Sequence, residues 1–193
     1  MDMNLEQLTN HLFNSHKRVI DVMTPAVGFS LPPLKIIVRP LLVEAAICRG
    51  GPIYISSNEN GEDYSQAEII YKEFGVAHET GHYFNFQNPR NLIDKDPRKD
   101  SKRTLRENRI INYRELAAEF FALCYFDIDQ RFPLVKDIFE EHSDVLELYS
   151  LKTTPEERRE VCRWLIKNSY DEVKRKFRNG PLKHDFRRLV MEV

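Results

Sequence analysis

The chain has 193 residues, of which 41% are hydrophobic and 31% are charged, and its formal net charge is −1. This composition can supply the core of one domain, and the near-zero charge argues against a nucleic acid or an anionic membrane as partner of the whole chain. No apolar run approaches the roughly 20 residues of a membrane span, and the first residues lack the basic and apolar regions of a signal peptide. The cysteines lie far apart without a CxxC pair, which is typical of a reducing compartment. We therefore expect a single domain, residues 1–193, in the cytoplasm.

The chain begins with a predicted helix. Asn4 can cap it, and apolar side chains recur at helical spacing until the pattern ends before Thr24-Pro25. His11 and His16 lie on this helix without a carboxylate or a second histidine at the spacing of a metal site. We therefore expect both histidines at the protein surface.

Three short segments, 34–39, 42–48 and 52–56, predict the strands of a small sheet. The second and third flank Arg49-Gly50-Gly51, which is typical of a hairpin turn. In the third segment, residues of alternating character indicate a strand with one buried face. The sheet should have about three strands.

The next helix carries the most informative motif. Ser65 can cap it, and Glu68 three residues later completes a capping box, so we expect a helix over residues 66 to about 86. Within this helix His78 and His82 are four residues apart, so both imidazoles project from one face and can reach one metal ion. Glu79 stands beside them, where a carboxylate can take a proton from water on that ion.

Gly81 lies between the two histidines and weakens the helix by about 1 kcal/mol relative to alanine. A missing side chain at this point would let another helix approach closely. The alternative to a metal site is an ordinary amphipathic helix that happens to carry two histidines.

A basic segment follows this helix. Residues 90–109 contain eight Lys and Arg against four Asp and Glu. We interpret the segment as a solvated connection. Contact with a nucleic acid is the less favoured alternative, because the chain as a whole has no basic excess, and it would show a steep loss of affinity with salt.

The remainder of the chain predicts helices. Thr154, Pro155 and Glu157 form the start signal of a long one, which should continue to Gly180-Pro181. The other predicted helices cover 110–127, 132–143 and 185–191. We therefore expect an α+β domain, with a helix, sheet and metal-helix lobe over 1–88 and a helical lobe over 109–193.

A catalytic zinc site needs a third protein ligand. The sequence does not match the longer motif HExxHxxGxxH, in which the last histidine is the third ligand, because Asn85 and Asn88 occupy the positions of its glycine and histidine. Glu115 and Glu119 lie on one face of a later helix beside two alanines, where burying two carboxylates without a cation would be costly. Glu115 as the ligand, with Glu119 accepting the N–H of a ligating imidazole, removes that cost. The alternative is a solvent-facing pair of glutamates.

Residues 73–84 are similar to the metal helix of the ImmA/IrrE-type peptidases, which belong to the gluzincin group of zinc metallopeptidases. That family takes its third ligand from an ExxANxFA segment, and residues 115–122 resemble this segment with Glu119 where asparagine is usual. The resemblance covers about residues 34–126, and archaeal minigluzincins share the same minimal layout. It implies a zincin-like fold, a Zn2+ cofactor and a peptide or protein substrate.

The resemblance also suggests a substrate-binding strand. Ile53, Tyr54 and Ile55 resemble the edge strand of that family, which pairs with an extended peptide. Two features differ from the family. The usual sequel to the glutamate helix is absent at residues 123–127, and no helix-turn-helix domain is evident.

The implied activity is peptide hydrolysis at Zn2+ bound by His78, His82 and Glu115. Glu79 would act as general base and would later pass the proton to the leaving amine. A donor to the oxyanion is also required, and the sequence does not choose among Tyr113, His142, Tyr149 and His184.

A second hypothesis keeps the zinc fold without turnover. The helical tail after Leu151 could cover the cleft and make the protein latent or turn it into a regulatory, interacting protein. Cys162 could then approach the metal as an inhibitory thiolate, although we favour the interpretation that it is a buried structural cysteine.

Overall fold

A computed structural model describes residues 3–41, 43, 45–47, 51–57, 64–91, 105–139, 144–177, 187–188 and 190–193. Within these residues the chain is α+β, as predicted, with a small sheet followed by helices. The elements are α1 (Leu5–Val27), β1 (Ile36–Arg39), β2 (Ala45–Ile47), β3 (Ile53–Ser56), α2 (Gln66–Asn85), α3 (Leu105–Ile128), α4 (Phe132–Phe139), α5 (Asp144–Ser150), α6 (Pro155–Lys167) and α7 (Tyr170–Phe177). Among the described helices, none combines the length and the apolar character needed to cross a membrane.

Helix α1 starts where the sequence predicts and ends later. Asn4 forms a capping box with Gln7, but the helix continues through Pro25 and stops at Gly28, whose φ of 87° closes it in the left-handed conformation. The extra turn places Ala26 and Val27 in the core. Their burial offsets the hydrogen bond that proline removes.

The prediction that His16 lies at the surface is wrong, because this side chain is fully buried and joins α1 to α2. The backbone N–H of Leu34 donates to His16 Nε2 over 2.9 Å, so the ring proton is on Nδ1. That Nδ1 donates to Thr80 Oγ1 over 2.9 Å, and the threonine hydroxyl donates to the Val76 carbonyl. A buried imidazole is tolerated here because both nitrogens are paired.

The sheet has three strands in the order β1-β3-β2. Strand β2 pairs with β3 antiparallel, as the hairpin predicts, and β1 pairs with the other side of β3 in parallel. Strand β3 is therefore central in the described sheet, and the expectation that it is an edge strand is wrong. The edge that lies against α2 is β2, since Ala45 is the residue nearest Gly75.

Helices α2 and α3 run in opposite directions and pack closely. Phe74 stacks on Phe126 near one end, with ring centroids 5.9 Å apart, and Phe84 meets Phe121 further along, at 5.3 Å. At Gly81 a Cβ atom would lie 2.9 Å from the Ala118 Cα and 3.2 Å from its carbonyl oxygen. The predicted close approach at this glycine is confirmed, and it brings α3 within reach of both histidines.

The C-terminal helices differ from the prediction in one respect that concerns the site. The single helix expected after Thr154 is two helices, α6 and α7, because Asn168 is extended, with φ −103° and ψ 155°. The hydroxyl of Tyr113 on α3 donates to the carbonyls of Leu165 and Asn168 at this break. The Tyr113 hydroxyl therefore satisfies these two carbonyl groups, which the end of α6 leaves without a helical partner.

Helix α3 begins at Leu105, five residues before the predicted start, and α5 falls in a region for which no helix is expected. Cys162 is fully buried in the same core cluster as Cys124, and burial raises the pKa of its thiol, so it is a structural cysteine of the core. Residues 92–104, 140–143 and 178–186 lie outside the described part of the chain. Most of the basic segment and two oxyanion candidates, His142 and His184, therefore stay predictions.

Candidate metal centre

Two helices bring three side chains with metal-binding atoms to one point. His78 and His82 lie one turn apart on α2, with ring centroids 4.7 Å apart. From α3, Glu115 places Oε2 3.3 Å from Nε2 of His78 and 3.2 Å from Nε2 of His82. One ligand atom of each residue lies within 4.8 Å of the others. The three residues that the sequence predicts as metal ligands are therefore neighbours in the fold.

Two of the three spacings among these atoms fit zinc. Zinc bonds imidazole nitrogen at about 2.0–2.1 Å and carboxylate oxygen at about 2.0–2.2 Å, so neighbouring corners of a tetrahedral site lie about 3.3 Å apart. Both nitrogen–oxygen distances at Glu115 have this length. Two imidazoles and one carboxylate leave the fourth corner open, which is the donor set of a catalytic rather than a structural zinc site.

Burial and neighbouring charges shift the pKa values of the three candidate ligands. Burial raises the pKa of the Glu115 carboxyl, but its hydrogen bonds with both imidazoles and their charge outweigh burial and hold that pKa well below its usual range. Burial lowers the pKa of both histidines. At His78 the bond to Glu115 and the nearby carboxylates reverse the direction and raise the pKa, whereas at His82 burial prevails. A metal at this point would therefore compete with a proton chiefly at His78.

Glu79 lies beside the three ligand candidates on α2, with 5% of its surface exposed. Burial raises the pKa of this carboxyl to about 7, although the charge of His78 acts in the opposite direction. A carboxyl with a pKa near neutrality can both accept and return a proton under physiological conditions, as a general base must.

A cavity of about 260 Å³ opens beside His78 and Glu79. It lies between strand β2, the middle turns of α2 and the glutamate face of α3. The other lining residues are Ala45, Tyr71, Lys72, Phe74, Gly75, Glu115 and Glu119. The ammonium group of Lys72 donates to the Ser56 carbonyl over 2.8 Å, so its charge is held at the sheet.

Glu119 lines this cavity, and its charge contributes to the raised pKa of His78. The predicted hydrogen bond from a ligating imidazole is absent at His82, whose Nδ1 is buried and has no hydrogen-bond partner among the described residues. For the His78 imidazole, the same bond stays a prediction.

Other candidates from the sequence are placed differently from the expectation. Ile53 and Ile55 are 0% and 1% exposed and do not line the cavity, and Tyr54 shares their central strand, so these three residues cannot offer a free strand edge.

Two of the predicted oxyanion donors have other partners. The Tyr113 hydroxyl donates to carbonyl groups at the α6–α7 break. The Tyr149 hydroxyl donates to Asp127 over 2.9 Å. Neither tyrosine is available as an oxyanion donor.

Arg114 is a neighbour of the centre that the sequence analysis missed. Its guanidinium carbon lies 4.5 Å from the centroid of the Phe86 ring, and that ring stacks on His82 with centroids 6.1 Å apart and planes inclined by 16°. Its charge acts on Glu79 and Glu115. Adjacency to the predicted ligand Glu115 was the available signal, and the contact with Phe86 is visible only in the fold.

Comparisons of the chain with protein-family models, with curated proteins and with solved structures gave no match. The functional argument therefore depends on the residues and their geometry.

Proposed function

We propose that the protein is a zinc-dependent metallopeptidase of the gluzincin type, with a zincin-like α+β fold. The observation that carries the proposal is the convergence of His78, His82 and Glu115 within 4.8 Å of one another, with both distances to Glu115 near those of tetrahedral zinc and Glu79 beside them. The likeness of the motifs to ImmA/IrrE-type peptidases and minigluzincins supports the same function.

Each of these four residues would have a defined role in hydrolysis. His78, His82 and Glu115 would hold the ion, which when bound supplies a Lewis acid that activates water and polarises a carbonyl group. Glu79 would accept a proton from the attacking water and deliver it to the nitrogen of the leaving amine. The burial that raises the pKa of Glu79 to about 7 suits both transfers.

The substrate would be an extended peptide added to the edge of the sheet. Strand β2 is the edge nearest the centre, and Ala45 at its start lines the cavity with His78 and Glu79. A peptide that pairs with a strand edge gains main-chain hydrogen bonds without side-chain selectivity. We therefore assign the pairing role to β2 in place of β3.

The latent alternative finds no support among the described residues. All residues that line the cavity precede residue 120, so none belongs to the tail after Leu151. Cys162, the proposed inhibitory thiolate, is a free cysteine that is fully buried in the core, and it does not line the cavity.

The test compares the purified protein with Glu79→Gln. Glutamine has nearly the same shape and cannot take the proton, so we expect about one zinc per chain in both proteins and a loss of at least about 100-fold in hydrolysis of a casein-derived peptide. Glu160→Gln, an exposed carboxylate on α6, is the matched control and should keep full activity. Zinc binding without hydrolysis in the unaltered protein would instead favour the silent, regulatory alternative.

A further inference from the structure

Arg114 is a partly buried cation without a counter-ion in the described part of the chain. Its Nε atom is shielded from solvent and has no hydrogen-bond partner there. No described carboxylate lies within 4.0 Å of its guanidinium nitrogens. Burial lowers the pKa of this group, and the charges of Glu115 and Glu79 offset burial only from a distance.

Burying a guanidinium group without a carboxylate partner is unfavourable, and other arginines of this fold do have such a partner. Arg18, Arg131 and Arg158 each donate to a buried or half-buried carboxylate. Among the described residues Arg114 lies against the face of the Phe86 ring, and its Nε–H has no acceptor there. The N–H edge of a guanidinium group matches the two oxygens of a carboxylate.

The position of Arg114 relative to the centre is defined by the antiparallel packing of α2 and α3. The cavity is lined by Tyr71 and Gly75, which precede both histidines on α2. Arg114 lies toward the C-terminal end of α2, where it and the His82 ring both contact Phe86. An extended peptide that crosses the metal ligands from the cavity would therefore approach Arg114 with its far end.

The distances set the length of that far end. The guanidinium carbon is 4.5 Å from the Phe86 ring and this ring is 6.1 Å from the His82 ring. The guanidinium carbon is therefore at most about 11 Å from the His82 ring centroid. An ion pair covers up to about 4 Å of this distance. One extended residue spans about 3.3–3.6 Å, so one or two residues beyond the bond at the metal ligands would bring a terminal carboxylate to the guanidinium group.

We propose that Arg114 binds the C-terminal carboxylate of the substrate, so that the site removes one or two residues from the free C-terminus of a peptide. This inference rests on the proposed function for the cleavage itself. The reaction is hydrolysis: the peptide C–N bond breaks, the water oxygen bonds to the carbonyl carbon, and a proton passes to the released amine. The products are a shortened peptide and a free amino acid or dipeptide.

Binding can be measured apart from cleavage in the zinc-loaded Glu79→Gln protein. Calorimetric titration would use one peptide as the free acid and as the C-terminal amide. We expect the free acid to bind at least about tenfold more tightly, because a charge-assisted pair is lost in the amide. Adding Arg114→Gln should remove this difference while leaving the affinity for the amide unchanged, and Arg114→Lys should restore part of it.

Arg39→Gln is the matched control, since Arg39 also lies on an aromatic ring, 4.3 Å from that of Tyr54, but on the far strand of the sheet. It should keep the preference for the free acid. Equal affinity for acid and amide, no binding of either peptide, or an equal loss of both in Arg114→Gln would overturn the assignment.

Mass spectrometry of the digests made by the unaltered protein separates the two proposals. Release of one or two C-terminal residues supports both. A preference for the free acid in binding, without any cleavage, keeps the carboxylate site and rejects the peptidase. Cleavage of acid and amide at equal rates and at internal bonds keeps the peptidase and rejects the carboxylate site.

Discussion

Helix α2 carries a histidine–glutamate cluster on each of two faces, and the clusters balance their charges in different ways. On one face Glu73 accepts hydrogen bonds from His11 and from Arg131, and its side chain is 6% exposed. On the other face Glu115 contacts two imidazoles, and its side chain is 51% exposed. Glu73 is paired with the permanent charge of Arg131. Glu115 is paired with two imidazoles, which carry a charge only when they are protonated.

The difference shows why proximity of histidine and glutamate does not define a metal site. Arg131 occupies the place of a metal ion in the Glu73 cluster, and the result is a structural contact between α2 and the end of α3. The cavity beside Glu73 is the larger of the two, about 580 Å³ against about 260 Å³. Cavity size would therefore favour the Glu73 face, whereas the charge balance favours the face with HExxH as the candidate metal site.

The largest expected effect concerns the ligand carboxylate itself. Glu115→Ala should reduce zinc affinity by well over about 100-fold, more than the loss of an outer partner causes, and should abolish hydrolysis. Glu73→Ala should retain one zinc per chain, although it destabilises the fold. Competition with a fluorescent zinc chelator measures both variants, and equal zinc affinity for the two would remove the distinction between the faces.

The second prediction tests the structural cluster. Arg131→Gln leaves the Glu73 carboxylate buried with His11 as its main partner, so we expect the free energy of unfolding to fall by about 3 kcal/mol. Urea denaturation followed by circular dichroism gives this value. Arg175→Gln on the exposed side of α7 is the control and should change it by less than about 0.5 kcal/mol. A similar small change for Arg131→Gln would show that the cluster is a surface feature.

The third prediction concerns His16, which joins α1 to the same helix. Burial lowers the pKa of this imidazole from 6.5 to about 4. Below pH 6.5 the unfolded chain therefore binds a proton that the folded protein excludes, and the free energy of unfolding falls by up to about 3 kcal/mol as the pH drops from 6.5 to 4.

Denaturation curves at several pH values, compared with those of His16→Gln, isolate this contribution. The variant should be less stable at neutral pH and should lose less stability on acidification. Parallel pH profiles of the two proteins would contradict the assignment.

The smallest effect tests the helix contact that brings the ligands together. Gly81→Ala places a Cβ 2.9 Å from the Ala118 backbone and should destabilise the metal-free protein by about 1–3 kcal/mol. Gly75→Ala is the matched control on the same helix, because its Cβ would meet the Ala45 Cβ at 3.4 Å, an ordinary contact. It should be neutral or stabilising by up to about 1 kcal/mol. Equal thermal shifts in the two variants would refute the close approach.

Local signals in the sequence predicted the elements that depend on neighbouring residues. The capping boxes at Ser65 and Thr154 start α2 and α6 where expected, because a cap acts on groups within four residues. The same logic places His78 and His82 on one face. The positions of Glu115 and Gly81 were predictable across a longer distance only because a candidate metal site and a close helix contact demand specific residue types.

What the sequence by itself determined is therefore the α+β class, the positions of the caps and the identity of the residues at the candidate metal centre. The tertiary structure alone decided that His16 is buried, that β3 is central and that Arg131 neutralises Glu73. It also left Arg114 without a carboxylate partner in the described part of the chain. The reason is physical. Burial, strand order and the partner of a charge depend on segments that are distant in sequence, and a local pattern does not show which distant segment packs against it.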